Sequence, residues 1–246
     1  MNNSLLKLKE PYDQRYINGS SHAASVSTEV VSFRVITSIN CSPLFKTQNR
    51  IAKRLVDLLI STTAIVFLLS WLVPILAILI KIDSAGPVFF VQKRNKKDGR
   101  FFYCLKFRTM VVNTQSDTLT ATVNDKRITS LGKFLRRSYI DELPQLINVL
   151  IGDMSIIGPR PHMSVENIKY SQLYTFYHKR HAVKPGITGL AQSLGYHGPM
   201  VKQGELEKKI EYDIHYINNW SIFLDMKILK DTAAIIYKKF AHPLKS

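Results

Sequence analysis

The sequence predicts a mixed α/β fold that is mostly helical, with a re-entrant membrane helix hairpin that anchors a small cytoplasmic domain carrying interfacial amphipathic helices. Three observations predict it: an apolar run of membrane-spanning length, basic residues on both sides of that run, and apolar residues at helical spacing further along the chain. Hydrophobic residues make up 46% of the 246 residues, which is enough to bury a core and excludes a chain that is disordered throughout.

The apolar run extends from Leu55 to Ile80 and, at ~1.5 Å per helical residue, is long enough to cross a ~30 Å hydrocarbon core. Pro74 frees the backbone carbonyl of Ser70, so a break in the helix is expected from Ser70 to Pro74. The positive-inside rule places both basic flanks in the cytoplasm, which favours a helix that enters the membrane, bends and returns to the same face. A straight span and a buried core helix are the alternatives. The flanking cations are Arg50, Lys53, Arg54, Lys81, Lys93, Arg94, Lys96 and Lys97.

An acidic residue, Asp57, lies just inside the apolar run. A lone carboxylate is costly there unless it is paired, and Lys53 and Arg54 lie about one helical turn away. We therefore expect Asp57 to form a structural ion pair with one of them.

The chain is divided by composition into four parts. Residues 1–45 are polar and are expected to form a flexible N-terminal tail, with a short strand at 30–36. Residues 46–82 form the membrane anchor, residues 83–240 form the cytoplasmic domain, and residues 241–246 form a second tail.

Two strands and a loop are predicted in the first part of the cytoplasmic domain, and two helices in its last part. Val88–Gln92 and residues 99–110 are typical of strands, and residues 113–130 of a loop. Residues 205–219 and 221–240 carry apolar residues at helical spacing. The second of these helices mixes large apolar residues with lysines, which favours a place in the membrane interface over a soluble helix packed on the core.

A third helix is predicted at residues 142–151, where apolar residues fall at i, i+3, i+4 and i+7. Asp141 is a suitable N-cap, Pro144 fits the first turn, and Gly152 is a suitable stop. The free backbone donors of such a helix end would favour a bound phosphate beside Asp141.

Lys and Arg total 34 against 18 acidic residues, which gives a formal net charge of +16. This excess indicates a polyanionic partner, which could be nucleic acid, an anionic membrane surface or a phosphorylated substrate. Cys41 and Cys104 are far apart and belong to no paired motif, which excludes a disulfide framework and fits a reducing compartment.

Two adjacent carboxylates, Asp141 and Glu142, are the candidate catalytic residues. A carboxylate can attack phosphorus to give an acyl phosphate, but that step brings two anions together and needs a metal ion and cationic side chains. The candidate cations are Lys106, Arg108, Arg136 and Arg160. An isolated acid pair would ordinarily be a solvated surface, and the surrounding cations favour a site instead.

An ordered set of motifs strongly resembles the bacterial sugar transferase family, the monotopic phosphoglycosyl transferases that act on polyprenyl phosphate. The resemblance covers about residues 46–240. The motifs are K-R-x-x-D (53–57), S-A-G-P-V-F-F (84–90), K-F-R-T-M (106–110), D-E-L-P-Q-L-x-N-V-L (141–150), G-D-M-S (152–155), G-P-R-P (158–161), P-G-I-T-G (185–189) and D-x-x-Y-x-x-N (213–219).

The resemblance implies a reaction in which a UDP-sugar donates its sugar-1-phosphate to undecaprenyl phosphate and UMP leaves. Asp141 would attack the β-phosphate and bind Mg²⁺, and Glu142 would position groups or handle protons. Phosphate and substrate binding would fall to the basic residues and the P-G-I-T-G turn, namely Lys106, Arg108, Arg136, Arg160, Pro185, Gly186, Thr188 and Gly189. The stretch 190–200 would touch the sugar or shape its pocket.

The resemblance also implies the surroundings of the enzyme. It places the chain at the bacterial inner membrane with the catalytic domain on the cytoplasmic face, at the first membrane step of polysaccharide synthesis, and it is compatible with downstream glycosyltransferases as partners. The family often has extra membrane spans before this domain and a serine before the helix-breaking proline. Residues 1–50 contain no such span, and Val73 precedes Pro74.

Two other classes of protein are open at this point. A nucleic-acid-binding protein would explain the net charge, but it would not explain the apolar run, and the cations surround acids rather than forming one stripe. A non-catalytic membrane adaptor, or an inactive relative of the family, would explain the anchor but not the carboxylate pair.

Overall fold

A computed structural model describes residues 42–116, 118–122, 125–196 and 204–241. They all belong to one compact unit, Ile36–Ser246. The predicted strand at 30–36 and nearly all of the predicted tails lie outside the described residues.

The described residues form a mostly helical α/β fold, as the sequence predicts. The helices are α1 (Thr47–Asp83), α2 (Ser130–Ser138), α3 (Gln145–Ile151), α4 (Ser164–Leu173), α5 (Leu190–Ser193), α6 (Glu205–Asn218) and α7 (Ile222–Ala241). The strands are β1 (Phe89–Asn95), β2 (Phe101–Phe107), β3 (Ser155–Ile157) and β4 (Gly186–Thr188), and short 3₁₀ turns lie at Pro43–Phe45, Lys97–Gly99, Ile140–Glu142 and Tyr177–Ala182.

Helix α1 contains the apolar run and is long and apolar enough to cross a membrane. It continues through Pro74, where a break was expected, and its irregularity is a π-helical turn at Ile65–Leu69, directly before Ser70. The hydroxyl of Ser70 donates a 2.6 Å hydrogen bond to the carbonyl of Val66. This bond satisfies a carbonyl where the regular helical ladder is interrupted. The structure therefore has one helical segment here rather than two separate helices.

One face of α1 packs on the rest of the unit and the other is exposed. Leu69, Leu76 and Ile80 on the inner face belong to the hydrophobic core. The outer face of the apolar run is mainly apolar, with Thr62, Thr63 and Ser70 as its exposed polar residues, which is the pattern of a helix in contact with lipid rather than water. The exposed large apolar residues of α1 are Ile51, Leu55, Leu59, Val66, Phe67, Trp71, Ile75, Ile78, Leu79 and Ile82.

The first half of α1 is tied to the domain through Asp57, but not in the way that the sequence suggested. The Asp57 carboxylate accepts hydrogen bonds of 2.9 Å from the hydroxyl of Ser155 and from the amide of Ile156. Lys53 pairs with Asp225 at 2.8 Å instead. The predicted ion pair within the helix is therefore wrong, because β3 lies close enough to satisfy the carboxylate.

The last turn of α1 is tied to the same domain through Arg108. Its guanidinium donates hydrogen bonds of 2.7 Å to the carbonyls of Ser84 and Ala85, just beyond the helix end. A cation at this end also interacts favourably with the helix dipole. Both ends of the apolar run thus contact one compact unit.

The two sheets are small, with β1 and β2 antiparallel and β3 and β4 parallel. The parallel pair places Ile157 beside Thr188 and brings the G-P-R-P loop against the P-G-I-T-G turn. Glycine is required at this approach, because a Cβ atom at Gly186 would lie 2.1 Å from the backbone nitrogen of Gly158. The pairing fixes the start of the loop that carries Arg160.

Candidate active site

The acid pair lies at the wall of a cavity of about 450 Å³, called the main cavity below. It is formed where the end of β2, the 3₁₀ turn Ile140–Glu142, the loop after β3 and helices α5, α6 and α7 meet. The cavity brings together most of the predicted site. The predicted residues that line it are Lys106, Arg136, Asp141, Glu142 and Arg160.

Asp141 and Glu142 belong to a tight turn between two helices. Tyr139 ends α2 in the left-handed conformation, with φ 58° and ψ 12°, and the chain then makes one 3₁₀ turn. Helix α3 begins at Gln145, with Pro144 at its N-cap, so the predicted N-cap role of Asp141 is wrong. The proline fits an N-terminal position, but the intervening turn displaces the helix from the acids. Gly152 ends α3 as predicted, with φ 94°.

Glu142 is the more strongly paired of the two carboxylates. Lys106 donates to it at 2.6 Å, and the guanidinium of Arg160 donates two hydrogen bonds of 2.5 and 3.0 Å. Burial alone would raise the pKa of Glu142, but Arg160 and Lys106 outweigh it and hold that pKa well below its ordinary value. Glu142 is therefore ionised, with its charge compensated by these two cations.

Asp141 differs from its neighbour because, among the described residues, no side chain or backbone amide donates a hydrogen bond to its carboxylate. It is only 7% exposed, and that exposure is toward the main cavity. Burial raises the pKa of Asp141 to about 6, against the opposing effect of Lys106, and the charge of Glu142 raises it further. The two acids therefore differ in their surroundings: Glu142 is paired with two cations, whereas the carboxylate of Asp141 faces the main cavity without a described hydrogen-bond donor.

Of the two other predicted cations, one lines the main cavity and the other does not. Arg136 lines the main cavity, and its Nε donates to the hydroxyl of Thr109 at 2.7 Å. Burial lowers the pKa of Arg136 from its ordinary value, although the nearby Asp141 opposes that shift. Arg108 is not among the residues that line the cavity, because its guanidinium faces the end of α1.

The P-G-I-T-G turn packs against the loop that carries Arg160. The amide of Gly186 donates to the carbonyl of Pro159, and the amide of Gly158 donates to the carbonyl of Thr188, both at 2.9 Å. Pro185 lines a small crevice beside Arg160. Pro185, Gly186, Thr188 and Gly189 are not among the described residues that line the main cavity, and the backbone of this turn contacts the loop that carries Arg160. In the following stretch, Gln192 and Tyr196 do line it.

A buried polar network behind Arg160 was not predicted. Arg180 donates to Asp213 at 2.6 and 3.0 Å and to the backbone carbonyl of Arg160 at 2.8 Å. His162 and Tyr177 complete the network, with 2.7 Å between the histidine Nδ1 and the tyrosine oxygen. Asp213 stands in the D-x-x-Y-x-x-N motif, but Arg180 lies 33 positions earlier and outside every motif, so no local pattern could have joined them.

The main cavity fits a magnesium ion only in a particular way. Within the described ranges, no group of three or more His, Cys, Asp or Glu residues could hold a metal by itself. Magnesium, however, is commonly bound through one or two carboxylates together with substrate phosphates and water. The uncommitted carboxylate of Asp141 suits that arrangement.

Asp141→Asn is expected to stabilise the metal-free fold at about pH 8. The pKa of Asp141 is about 6 in the fold against an ordinary value of 3.8, so the stability that its protonated carboxyl contributes is fully present below pH 3.8 and is lost as the pH rises through about 6. The loss amounts to about 3 kcal/mol at higher pH, and asparagine escapes it. Thermal unfolding in detergent with a chelator should show the variant above the wild type at about pH 8 and near it at about pH 4. A difference that does not change with pH contradicts this interpretation.

The described residues combine a helix long and apolar enough to cross a membrane with a basic cavity that holds an acid pair, and the family model for "Bacterial sugar transferase" matches residues 48–239. The chain belongs to the bacterial sugar transferase family, which confirms the resemblance of its motifs.

Curated relatives include two proteins named UDP-glucose:undecaprenyl-phosphate glucose-1-phosphate transferase. The one from Xanthomonas campestris pv. campestris is 47% identical over 185 residues, which cover 74% of this chain and 38% of that protein. The one from Klebsiella pneumoniae is 45% identical over 199 residues, covering 79% and 43%. The "Exopolysaccharide production protein PSS" of Rhizobium leguminosarum bv. phaseoli is 42% identical over 187 residues, covering 74% and 93%. The chain thus spans less than half the length of the first two relatives.

Proposed function

We propose that this chain transfers a sugar-1-phosphate group from a UDP-sugar to undecaprenyl phosphate and releases UMP, through a covalent intermediate on Asp141. One observation carries the proposal: a buried carboxylate without a described hydrogen-bond donor faces a basic cavity, while the acid next to it is already paired with two cations. Membership of the family and the printed names of the relatives support the same reaction class.

In the first step, a carboxylate oxygen of Asp141 attacks the β-phosphorus of the UDP-sugar. A new bond forms between that oxygen and phosphorus, and the bond from the β-phosphorus to the oxygen shared with the α-phosphate breaks. UMP leaves with the bonding electron pair. Arg136 lines the cavity beside Asp141 and would bind phosphate oxygens, while Lys106 and Arg160 supply positive potential from their places on Glu142.

Magnesium bound at Asp141 and the diphosphate would neutralise charge between the nucleophile and its target. The chain's own part is to bury Asp141 at the cavity wall and to surround it with Lys106, Arg136 and Arg160, whose charges oppose the effect of burial on its pKa and favour the ionised nucleophile. Glu142 contributes indirectly, because it holds Lys106 and Arg160 in place rather than exchanging a proton.

In the second step, a phosphate oxygen of undecaprenyl phosphate attacks the same phosphorus. The bond between Asp141 and phosphorus breaks, and the carboxylate is regenerated. The product carries the sugar on an undecaprenyl diphosphate. Because the acceptor is a membrane lipid, the reaction needs a cavity held at the membrane surface.

A re-entrant course of α1 would hold the cavity there. The first half of α1 is bonded to β3 and its last turn to Arg108, so both ends contact the unit that carries the active site. A straight span would place its two ends on opposite sides of the bilayer, at odds with these contacts. We therefore place the catalytic domain on the cytoplasmic face of the inner membrane.

Single cysteines introduced at Arg50 and Lys97, in a chain without Cys41 and Cys104, test this topology. Both positions should react with an impermeant maleimide in inside-out vesicles and stay unreactive in right-side-out vesicles, since the positive-inside rule keeps both flanks in the cytoplasm. Labelling of the two positions from opposite sides contradicts the re-entrant course and supports a straight span.

The activity itself is tested by measuring UMP release from a panel of UDP-sugars, beginning with UDP-glucose, in the presence of undecaprenyl phosphate and Mg²⁺. Exchange of labelled UMP into UDP-sugar without acceptor reports the first step alone. Release with one sugar, and its loss on metal chelation, would support the proposal. A folded protein with neither release nor exchange for any donor would favour an inactive relative or a membrane adaptor.

A further inference from the structure

A second cavity, called the apolar groove below, adjoins the main cavity. It measures about 220 Å³ and lies between α3 and α7, with β4 at its base. Most of its lining residues are aliphatic, and the polar ones at the end near the main cavity are Tyr139, Glu142 and Gln192. The hydroxyls of Thr188 and Thr232 also line it, but they are 2.8 Å apart and satisfy each other. Such a lining fits a hydrocarbon ligand better than a sugar or a nucleotide. The aliphatic residues include Leu143, Leu146, Ile187, Leu229, Ile235 and Ile236.

The groove borders the main cavity. Tyr139, Glu142 and Gln192 line both the apolar groove and the main cavity. A ligand with an anionic head in the main cavity and an apolar tail in the groove would therefore have to pass only these shared side chains.

A cation stands near the junction of the two cavities. The ammonium group of Lys239 donates to the hydroxyl of Tyr139 at 2.5 Å and lies 4.3 Å from the centre of its ring. Lys239 also lines the main cavity. It is thus placed to attract the phosphate of a ligand whose tail occupies the groove.

The helix that forms one wall of the groove is suited to the membrane surface. On its outward face, Phe223, Met226 and Tyr237 are strongly exposed, and lysines lie between them. On its inward face, Leu229, Thr232 and Ile236 line the groove. A lipid whose chain emerges along α7 would pass directly from the groove into the bilayer.

Building on the proposed function, we propose that the apolar groove seats the first isoprene units of undecaprenyl phosphate, with the phosphate at the Tyr139–Lys239 junction. The groove is too small for the whole chain, so the remaining isoprene units stay in the bilayer. The donor occupies the main cavity from the opposite side of Asp141 and does not use the groove.

Ile236→Trp, which fills the groove, tests this inference beside Ala233→Trp, which adds the same side chain to the exposed face of the same helix. In full-length protein with UDP-sugar and undecaprenyl phosphate, the groove variant should raise the acceptor KM about tenfold or more over the control. Exchange of UMP without acceptor should persist in both variants, because it needs only the donor side.

The possible outcomes distinguish a failure of the inference about the groove from a failure of the proposed function. An unchanged acceptor KM in Ile236→Trp with exchange intact overturns the inference and leaves the proposed function standing. A wild-type protein with neither exchange nor transfer overturns both. If Ile236→Trp loses exchange as well, its fold is disturbed, and a second measurement on the wild-type protein tests the inference instead.

That second measurement uses a polyprenyl phosphate with a diazirine on its first isoprene unit. Photolysis with the wild-type chain should label residues 143–146 and 229–236, and unlabelled undecaprenyl phosphate should prevent the labelling. Labelling elsewhere, or labelling that only phospholipid can displace, would mean that the groove holds no acceptor and would overturn the inference.

Discussion

Asp141→Asn is expected to lower both sugar-phosphate transfer and the exchange of UMP into UDP-sugar by about 10⁴-fold or more, because it removes the nucleophile of the first step. The amide has nearly the shape of the carboxylate but cannot form the acyl phosphate. The fold should survive, since no described hydrogen bond depends on the Asp141 carboxylate and the substitution removes a buried charge. Loss of activity without loss of folded protein would therefore locate the chemistry at this residue.

Two control variants sharpen this expectation. Asp153→Asn removes a carboxylate that pairs with Lys96 outside the main cavity, and it should leave exchange near the wild-type rate. Glu142→Gln should slow exchange, because Lys106 and Arg160 lose their shared anion. It should still allow a covalent adduct, which intact-mass measurement after quenching with acid can detect. An adduct in Asp141→Asn would rule out Asp141 as the nucleophile.

The sequence was sufficient where the signal was local. The apolar run, the two strands of the β1–β2 hairpin, the stop at Gly152 and the helices near 205–219 and 221–240 all follow from short-range periodicity or turn residues. The acid pair and its cations could also be predicted, because two adjacent acids in a basic chain stand close to arginines and belong to the same ordered set of motifs. The structure places five of those residues around the main cavity.

The sequence was insufficient where a residue's partner is distant along the chain. Lys106 and Arg108 stand two positions apart in one motif, a spacing that would place both side chains on the same face of a continuous strand. Strand β2 ends at Phe107, so Arg108 departs from that face and contacts the end of α1, whereas Lys106 contacts Glu142. Asp57 likewise accepts a hydrogen bond from Ser155 rather than pairing with a neighbouring cation. Pattern can nominate charged residues, but the packing of the elements decides which charges they meet.

Asp213→Ala is expected to be the most destabilising of the single substitutions considered, at about 3–5 kcal/mol, because it leaves the Arg180 charge buried without its partner. The side chains of Arg180 and Asp213 are 2% and 5% exposed, so water cannot replace the lost carboxylate. The same network holds the carbonyl of Arg160, so the loop that carries Arg160 should loosen as well. The free energy of unfolding can be measured by denaturant titration in detergent.

An exposed ion pair on the same protein serves as the control for Asp213→Ala. Lys227 and Asp231 are 3.7 Å apart with side chains 65% and 35% exposed, so Asp231→Ala should cost less than about 1 kcal/mol. Replacing both members of the buried pair, as in Arg180→Met with Asp213→Leu, should recover part of the stability lost in Asp213→Ala, since no uncompensated charge remains. That double variant should nevertheless stay impaired in exchange, because the Arg160 carbonyl still lacks its donor. Equal costs for Asp213→Ala and Asp231→Ala would contradict the view that the network behind Arg160 stabilises the fold as well as the site.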